Sequence, residues 1–491
     1  MNLPAWSILV APIATAGLFL IAPSPAAVAR LSRWGSAAAL AVSAWLARAA
    51  IERPAVSSHG LLLDPLGAYL AVLVSFLVLA ASLASERFLR GETEDGKPSI
   101  AAWRAYYGLL HLFAASMLLV PIADNLGILW VAVEATTLSS AFLVGFHRHR
   151  HALEAAWKYV VLCSVGLAFA LFGTILLHEA GARSGVGATL DWTAFVAAAP
   201  RLDPRIVKLG FLFAVLGYGT KAGLAPLHAW LPDAHGQAPS PVSALLSGAL
   251  LSCAFYAVMR FHAIAVLCVG PHFLGRVFWA FGLASLAIAA PFILIARDYK
   301  RMLAYSSVEH MGLLCVGLGI GSPAAIYGVL LHLWAHGLAK GSAFLSAGGI
   351  LEAFKTRRIA RVTGALARAP ASGFFLFAAT LGLSGFPPFA TFPSEMLILS
   401  QGFRSGRAAA SAAAAALLAV IFAGLLHHVS RMCLGRASGP SLEEAGPGAR
   451  LWETVLPPAL LVAPLVVLGC WIPGGFDRWL SAMAGIVLGH G

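Results

Sequence analysis

The sequence predicts an all-α integral membrane protein, and three observations lead there. Hydrophobic residues fill 59% of the 491 positions, charged residues only 11%, and long apolar runs recur from one terminus to the other. Ordinary soluble domains carry about 25% charged residues, so water is not the solvent this surface is built for. Apolar runs of roughly 18 residues or more read as membrane spans. No polar stretch is long enough to fold as a separate soluble domain, and residues 1–491 read as one membrane domain.

The N-terminal run MNLPAWSILVAPIATAGLF is apolar from its first residues and lacks a basic leader. It reads as an uncleaved first helix rather than a signal peptide. Fourteen spans follow in order: 5–23, 33–50, 61–84, 104–121, 124–145, 157–178, 206–231, 241–262, 271–295, 303–320, 323–350, 371–403, 408–430 and 452–472. The second is short and alanine-rich. Loops after odd-numbered spans hold the larger share of Lys and Arg, among them Arg30, Arg33, Lys97, Lys300 and Arg450. Loops after even-numbered spans hold fewer, among them Arg53 and Arg260. By the positive-inside rule both termini face away from the cytoplasm.

Two spans carry prolines where a continuous helix should not. In GYGTKAGLAPLHAWLP, Pro226 and Pro232 follow Lys221; in LGLSGFPPFATFPSEMLIL, Pro387, Pro388 and Pro393 precede Glu395. Proline removes a helix donor and clashes with the preceding turn, so both helices should break near mid-membrane. A matched pair of interrupted helices points to an inverted-repeat transporter. Spans four to eight (104–262) then repeat as spans nine to thirteen (271–430), flanked by N-terminal helices in 1–103 and a C-terminal helix and tail in 452–491.

Ionisable groups inside these spans are the functional candidates, because a charge in hydrocarbon is costly. Glu134 lies centrally in NLGILWVAVEATTLSSAFLVGF. It is either a structural ion-pair partner or a carboxylate that sets the charge of a nearby lysine. Lys221, just before the first break, is its natural partner. In GVLLHLWAHGLAKGSAFL, His332, His336 and Lys340 stand at i, i+4 and i+8, one helix face about 12 Å long. Histidine titrates near neutrality and relays protons. A metal site is the competing reading, and it lacks a carboxylate or cysteine to complete it. Glu395 ends the series. Less central are Lys158, which either lies between Glu134 and Lys221 or snorkels to the interface, His228 after the first break, and Glu309 with His310 in span ten. These groups read as a proton path.

Other features carry less. The six cysteines form no C-x-x-C pair, so neither an iron–sulfur cluster nor a disulfide framework is expected, and no cofactor motif appears. The net charge of +12 accompanies no basic nucleic-acid module. The run HRHRH at 147–151 reads as a solvated loop, and GLGIG at 317–321 as close helix packing rather than a nucleotide loop.

The stretches LLLDPLGAYL, WVAVEATTLSS, KAGLAPLHAWLPDAHGQAPSPVSALLSG, DYKRMLAYSSVEHMG, HLWAHGLAKGSAFL and LSGFPPFATFPSEMLIL resemble the antiporter-like subunits shared by respiratory complex I, membrane-bound hydrogenases and multisubunit cation/proton antiporters. The resemblance covers essentially the whole chain. YSSVEHMG, LLHHVSRMCLG and GCWIP resemble hydrogenase-4 component F most, then the M and N chains of NADH–quinone oxidoreductase. It implies a glutamate–lysine pair at Glu134 and Lys221 and a polar axis through spans eight and eleven to an ionisable residue in broken span twelve, matching His332, His336, Lys340 and Glu395. Span eight departs: many relatives carry a lysine or histidine where this chain has Ser252 or Cys253, so the central link needs water, His262 or His332. Redox chemistry is then expected in partner subunits, membrane and peripheral, with lipid around and no nucleic acid, in a bacterial inner membrane. Three further readings stand beside a proton-pumping oxidoreductase subunit: a sodium/proton antiporter subunit, a membrane partner in energised inorganic-carbon uptake, and a non-conducting scaffold.

Overall fold

The computed structural model describes residues 4–52, 60–91, 99–436 and 451–489. Arg53, Lys97 and Arg450, counted above among the loop charges, lie outside them. Among the described residues the architecture is helical, with only three isolated β-bridges, Leu61 to Ala123, Asn125 to Asp191 and Asp298 to Arg358, tying loop ends together. Ten of these helices are long and apolar enough to cross a membrane. The chain is an integral, multi-pass membrane protein.

The main helices are Pro25–Glu52, Pro65–Gly91, Ile100–Leu119, Leu126–Val144, Arg150–Arg183, Pro204–Ala222, Ser240–Val269, Pro271–Leu294, Tyr299–Ile320, Pro323–Phe354, Pro370–Leu383, Thr391–Arg404, Ala408–Leu434 and Leu451–Cys470. Pro25–Glu52, at predicted span two, is longer than its sequence suggested. Pro25 occupies its first position, where the missing N–H costs nothing, and the Ser24 hydroxyl accepts from the Ala27 amide at 3.2 Å. Its low hydropathy has a packing cause: Ser32, Ser36 and Ser43 are buried, and Ser43 pairs with Ser75 at 2.7 Å. Arg30 and Arg33 are therefore helical rather than loop residues, and Arg33 meets Glu86 at 2.9 Å.

Close helix contact rests on glycine. An added Cβ at Gly173 would stand 2.6 Å from the Gly210 carbonyl oxygen, and one at Gly282 would stand 2.8 Å from that of Gly312. Such small-residue seams bring backbones together where apolar surface alone gives no driving force against lipid.

Both expected interruptions are present. The first helix stops at Ala222 and resumes at Trp230–Gln237; the second stops at Leu383 and resumes at Thr391. Backbone at this depth must be answered by protein. Gly223, at φ +80°, lets the Leu224 amide reach the Gly219 carbonyl at 2.8 Å. The Ala225 amide donates to Ser285 Oγ at 3.0 Å, and Trp230 Nε1 donates to the Thr220 carbonyl at 2.8 Å. In the second break the Phe386 amide donates to the Leu381 carbonyl at 3.1 Å and Thr391 Oγ1 to that of Gly382.

Two basic residues placed in loops are buried in helices. Lys300 sits at the start of Tyr299–Ile320, and its ammonium donates to the Ala238 carbonyl at 2.7 Å. Arg260 lies inside Ser240–Val269, 2% exposed, with both guanidinium nitrogens 2.7 Å from the two Asp64 oxygens. Trp192 stacks on its guanidinium, 4.3 Å from ring centroid to carbon. The C-terminal tail holds a further helix, Gly474–Val487, which buries Leu480, Met483 and Val487 and anchors through Trp479 Nε1 to the Pro65 carbonyl at 2.9 Å. At 14 residues it is too short to span, which is why hydropathy missed it.

Removing one partner of a buried ion pair leaves an uncompensated charge and costs about 3–5 kcal/mol, whereas exposed pairs contribute roughly 0–1 kcal/mol. Asp64→Ala should therefore lower the thermal midpoint of the detergent-solubilised protein strongly. Arg48→Ala, which breaks the exposed Arg48–Glu52 pair, should leave it unchanged.

Candidate functional site

The first polar cluster joins three helices. Leu126–Val144 supplies Glu134, Thr137 and Ser140; Arg150–Arg183 supplies Tyr159 and Ser164; Pro204–Ala222 supplies Lys221 in its last turn. Lys221 is fully buried, and its ammonium donates to Thr137 Oγ1 and to Tyr159 OH, both at 2.7 Å. Thr137 Oγ1 in turn faces Glu134 Oε2 at 3.5 Å, while Ser164 Oγ donates to Glu134 Oε1 at 2.8 Å. Glu134 and Lys221 are thus brought together, but through Thr137 rather than as a direct ion pair. The C-terminal end of a helix carries partial negative charge, which favours an ammonium group at Lys221.

The second cluster lies between Tyr299–Ile320 and Pro323–Phe354. Lys340, also fully buried, donates to the Leu303 carbonyl at 2.7 Å and to Ser306 Oγ. Glu309 lies close enough to interact electrostatically with both Lys340 and Glu395. His310 Nδ1 stands 2.9 Å from His332 Nε2, and His332 Nδ1 stands 2.9 Å from Ser394 Oγ. The His336 ring packs 5.1 Å from that of His310, centroid to centroid. Glu395, one turn into the helix that follows the second break, joins His310 and His332, with one ligand atom from each within 4.8 Å of the others. Gly385, at φ +63°, makes that possible: a Cβ there would collide with the Glu395 carboxylate.

Between the clusters runs the helix of predicted span eight, which contains a π-helical turn at Leu246–Leu250. Such turns cluster at functional positions. Here Ser247 Oγ pairs with Ser307 Oγ at 2.8 Å, next to the Ser306 that receives Lys340. Cys253 lies within electrostatic reach of Lys221, whereas Ser252 bonds back to the Gly248 carbonyl at 2.8 Å.

Several sequence candidates fall elsewhere. Lys158 does not stand between Glu134 and Lys221; it pairs with Glu154 at 2.6 Å and Asp233 at 3.6 Å with 37% of its side chain exposed, the snorkelling alternative. His262 is not a central link, because its Nδ1 donates to the Val487 carbonyl at 2.9 Å under the C-terminal helix. His228 is half-buried beside Tyr305. In the HRHRH run, His149 caps the Arg150–Arg183 helix by accepting from the Ala152 amide at 3.1 Å, and partial burial, with His147, Arg357 and His151 nearby, holds it below the usual imidazole range. Sequence reading missed Thr137, Tyr159, Ser247, Ser306 and Ser307. The available signal was hydroxyl residues one or two turns from each buried charge, as in EATTLSS and YSSVEH.

Comparison with known proteins agrees with this architecture. A family model described as NADH:quinone oxidoreductase/Mrp antiporter, transmembrane, matches residues 123–422. The chain is 38% identical over 425 residues to the hydrogenase-4 component F homolog of Methylacidiphilum infernorum, covering 86% of this chain and 87% of that one. It is 31% identical over 417 residues to NADH-quinone oxidoreductase subunit N of Desulforudis audaxviator, covering 83% and 80%. The fold is shared with a chain of the Mrp complex from a Dietzia species at a TM-score of 0.82 and 20% identity, covering 99% of each chain. It is shared equally with a chain of respiratory complex I from Thermus thermophilus, at a TM-score of 0.82 and 23% identity, covering 99% and 100%.

The hydrogen bonds that hold Lys221 are open to direct test. Tyr159→Phe removes one of its two acceptors, and losing a partner of a buried charged group costs about 1–3 kcal/mol. The thermal midpoint should fall accordingly; an unchanged midpoint would mean that Tyr159 does not hold the ammonium.

Proposed function

The chain belongs to the NADH:quinone oxidoreductase/Mrp antiporter family of membrane subunits, and from that premise we propose that it moves protons along the buried polar line described above. The line runs from Glu134 through Thr137 to Lys221, past Cys253 and the Ser247–Ser307 pair to Ser306 and Lys340. It continues through Glu309, His336, His310 and His332 to Glu395. Lys158 and His228 stand outside it.

One observation carries this reading. Lys221 and Lys340 are both fully buried, yet their ammonium groups donate to hydroxyl and carbonyl oxygens rather than to carboxylates. A lysine locked to a buried carboxylate keeps its proton, because separating the pair leaves a charge in low dielectric. A lysine held by hydroxyls can be neutral or charged at modest cost, and buried lysines change state readily. The carboxylates Glu134 and Glu309, each one step removed, are placed to bias that choice.

Fourteen spans in two inverted five-helix repeats, 104–262 and 271–430, give the simplest account of the paired elements. Each half then has a glutamate in its second helix, Glu134 or Glu309, and an ionisable group beside the break in its fourth, Lys221 or Glu395. With no cofactor motif of its own, the subunit would draw energy from membrane and peripheral partners of a hydrogenase-4-like or quinone-reducing assembly. A bacterial inner membrane with both termini outside the cytoplasm fits the charge bias of the loops.

Lys221→Ala in the assembled complex, reconstituted in vesicles, should abolish proton translocation while assembly and elution profile are retained. Unchanged pumping would overturn the path. Measuring sodium and proton flux in the same vesicles separates proton transfer from sodium/proton exchange.

A further inference from the structure

The His310–His332–Glu395 cluster has a chemistry that a bare proton relay does not require. The two imidazole nitrogens that face each other, His310 Nδ1 and His332 Nε2, are 2.9 Å apart. The far nitrogen of the His332 ring is already directed at an acceptor: Nδ1 stands 2.9 Å from Ser394 Oγ, whose own hydroxyl donates to the Thr391 carbonyl at 2.8 Å. His310 Nε2 lies 3.4 Å from the Glu309 carboxylate without a hydrogen bond to it. The His332 ring proton is therefore assigned to Nδ1, so Nε2 presents a lone pair to His310. A cation taken up beside the two facing nitrogens replaces the proton that they share, with the His310 ring proton then on Nε2 toward Glu309. Glu395 adds a carboxylate oxygen within 4.8 Å of both. His336, fully buried with neither ring nitrogen hydrogen-bonded, lies alongside His310.

We propose that His310, His332 and Glu395, with His336 as fourth ligand, bind a divalent first-row transition-metal ion such as Zn2+. Two or three imidazoles and a carboxylate are a standard ligand set for Zn2+, with bond lengths of about 2.0–2.2 Å. Tetrahedral geometry at those lengths puts ligand nitrogens about 3.3 Å apart, so the two rings need separate by only a few tenths of an ångström. Metal-ligating histidines commonly present their other nitrogen to a carboxylate or similar acceptor, the role that Ser394 occupies for His332 and that Glu309, 3.4 Å from His310 Nε2, is near enough to take. Glu309 and Glu395 together balance the charge of a divalent ion. The objection raised by sequence alone, that no carboxylate completes the histidine pair, disappears because the second break returns Glu395 to the helix face that carries His332. A bound ion holds both imidazoles and Glu395 as ligands and so blocks proton transfer. That consequence rests on the proton-path reading; the binding itself does not.

The test uses the full-length chain in detergent, with His147, His149 and His151 replaced by Ala to remove the histidine-rich loop as a competitor. Titration with Zn2+ should find one tight site per chain, and Co2+ should give the visible absorption of a four-coordinate ion. Glu395→Gln and His332→Gln, which keep side-chain bulk, should each weaken Zn2+ binding at least tenfold, and Glu309→Gln about tenfold through its effect on His310. Circular dichroism and a monodisperse elution profile identify the folded variants. Loss of the site in the loop variant alone, or undiminished binding in both Glu395→Gln and His332→Gln, would overturn the proposal. In vesicles of the assembled complex, Zn2+ should block proton flux. If the ion binds but flux persists, the blockade fails while the site stands; if no ion binds and Lys221→Ala still abolishes flux, the site fails while the path stands.

Discussion

Hydrocarbon supplies neither donors nor acceptors, so backbone polar groups at membrane depth must be answered by protein. That constraint explains why both helix interruptions are bonded from neighbouring turns and helices. Ser285, Trp230 and Thr391 each reach from a neighbouring turn or helix to engage backbone groups at the breaks. It also explains the crowd of hydroxyls. Serine and threonine bring donors and acceptors into an apolar helix at little cost in volume, and their hydroxyls accept from Lys221 and Lys340. The interior is held together by small neutral dipoles, with the ionisable groups set among them like guests.

The two breaks differ in polarity. Lys221 lies where one helix ends, and Glu395 lies one turn after another begins. Helix C-termini favour cations and N-termini favour anions, so the same device, an interrupted helix, supports a base at one break and an acid at the other. Gly385 and Gly223 occupy corresponding places as the residues that turn the backbone through positive φ. The helix of predicted span eight runs between the clusters, and its π-helical turn carries Ser247, which pairs with Ser307.

Much of this was legible in the sequence. Hydropathy located the long helices, and proline placed both breaks, because each signal is local and each has one dominant physical cause. The positions of the buried ionisable groups were legible too, since a charge in an apolar run stands out. Three things were not. Arg260 looked like a loop charge because its partner Asp64 is remote in sequence, and no local pattern announces such a pair. Glu395 could not be assigned to the histidine face, since which helix faces which depends on packing that periodicity does not encode. The Ser247–Ser307 pair was hidden for a further reason: a charge stands out in an apolar run, whereas a serine hydroxyl carries no such mark.

The Asp64–Arg260 clamp bears on how the protein is made. Its two halves are 196 residues apart in the chain, and synthesis proceeds at about 5–20 residues per second. For about 10–40 s, then, a nascent chain holds Asp64 at the membrane without the arginine that answers it. During that interval the N-terminal helices must be sheltered by lipid headgroups, water at the interface or the insertion machinery. Only with completion of span eight does the chain hold both halves of the clamp.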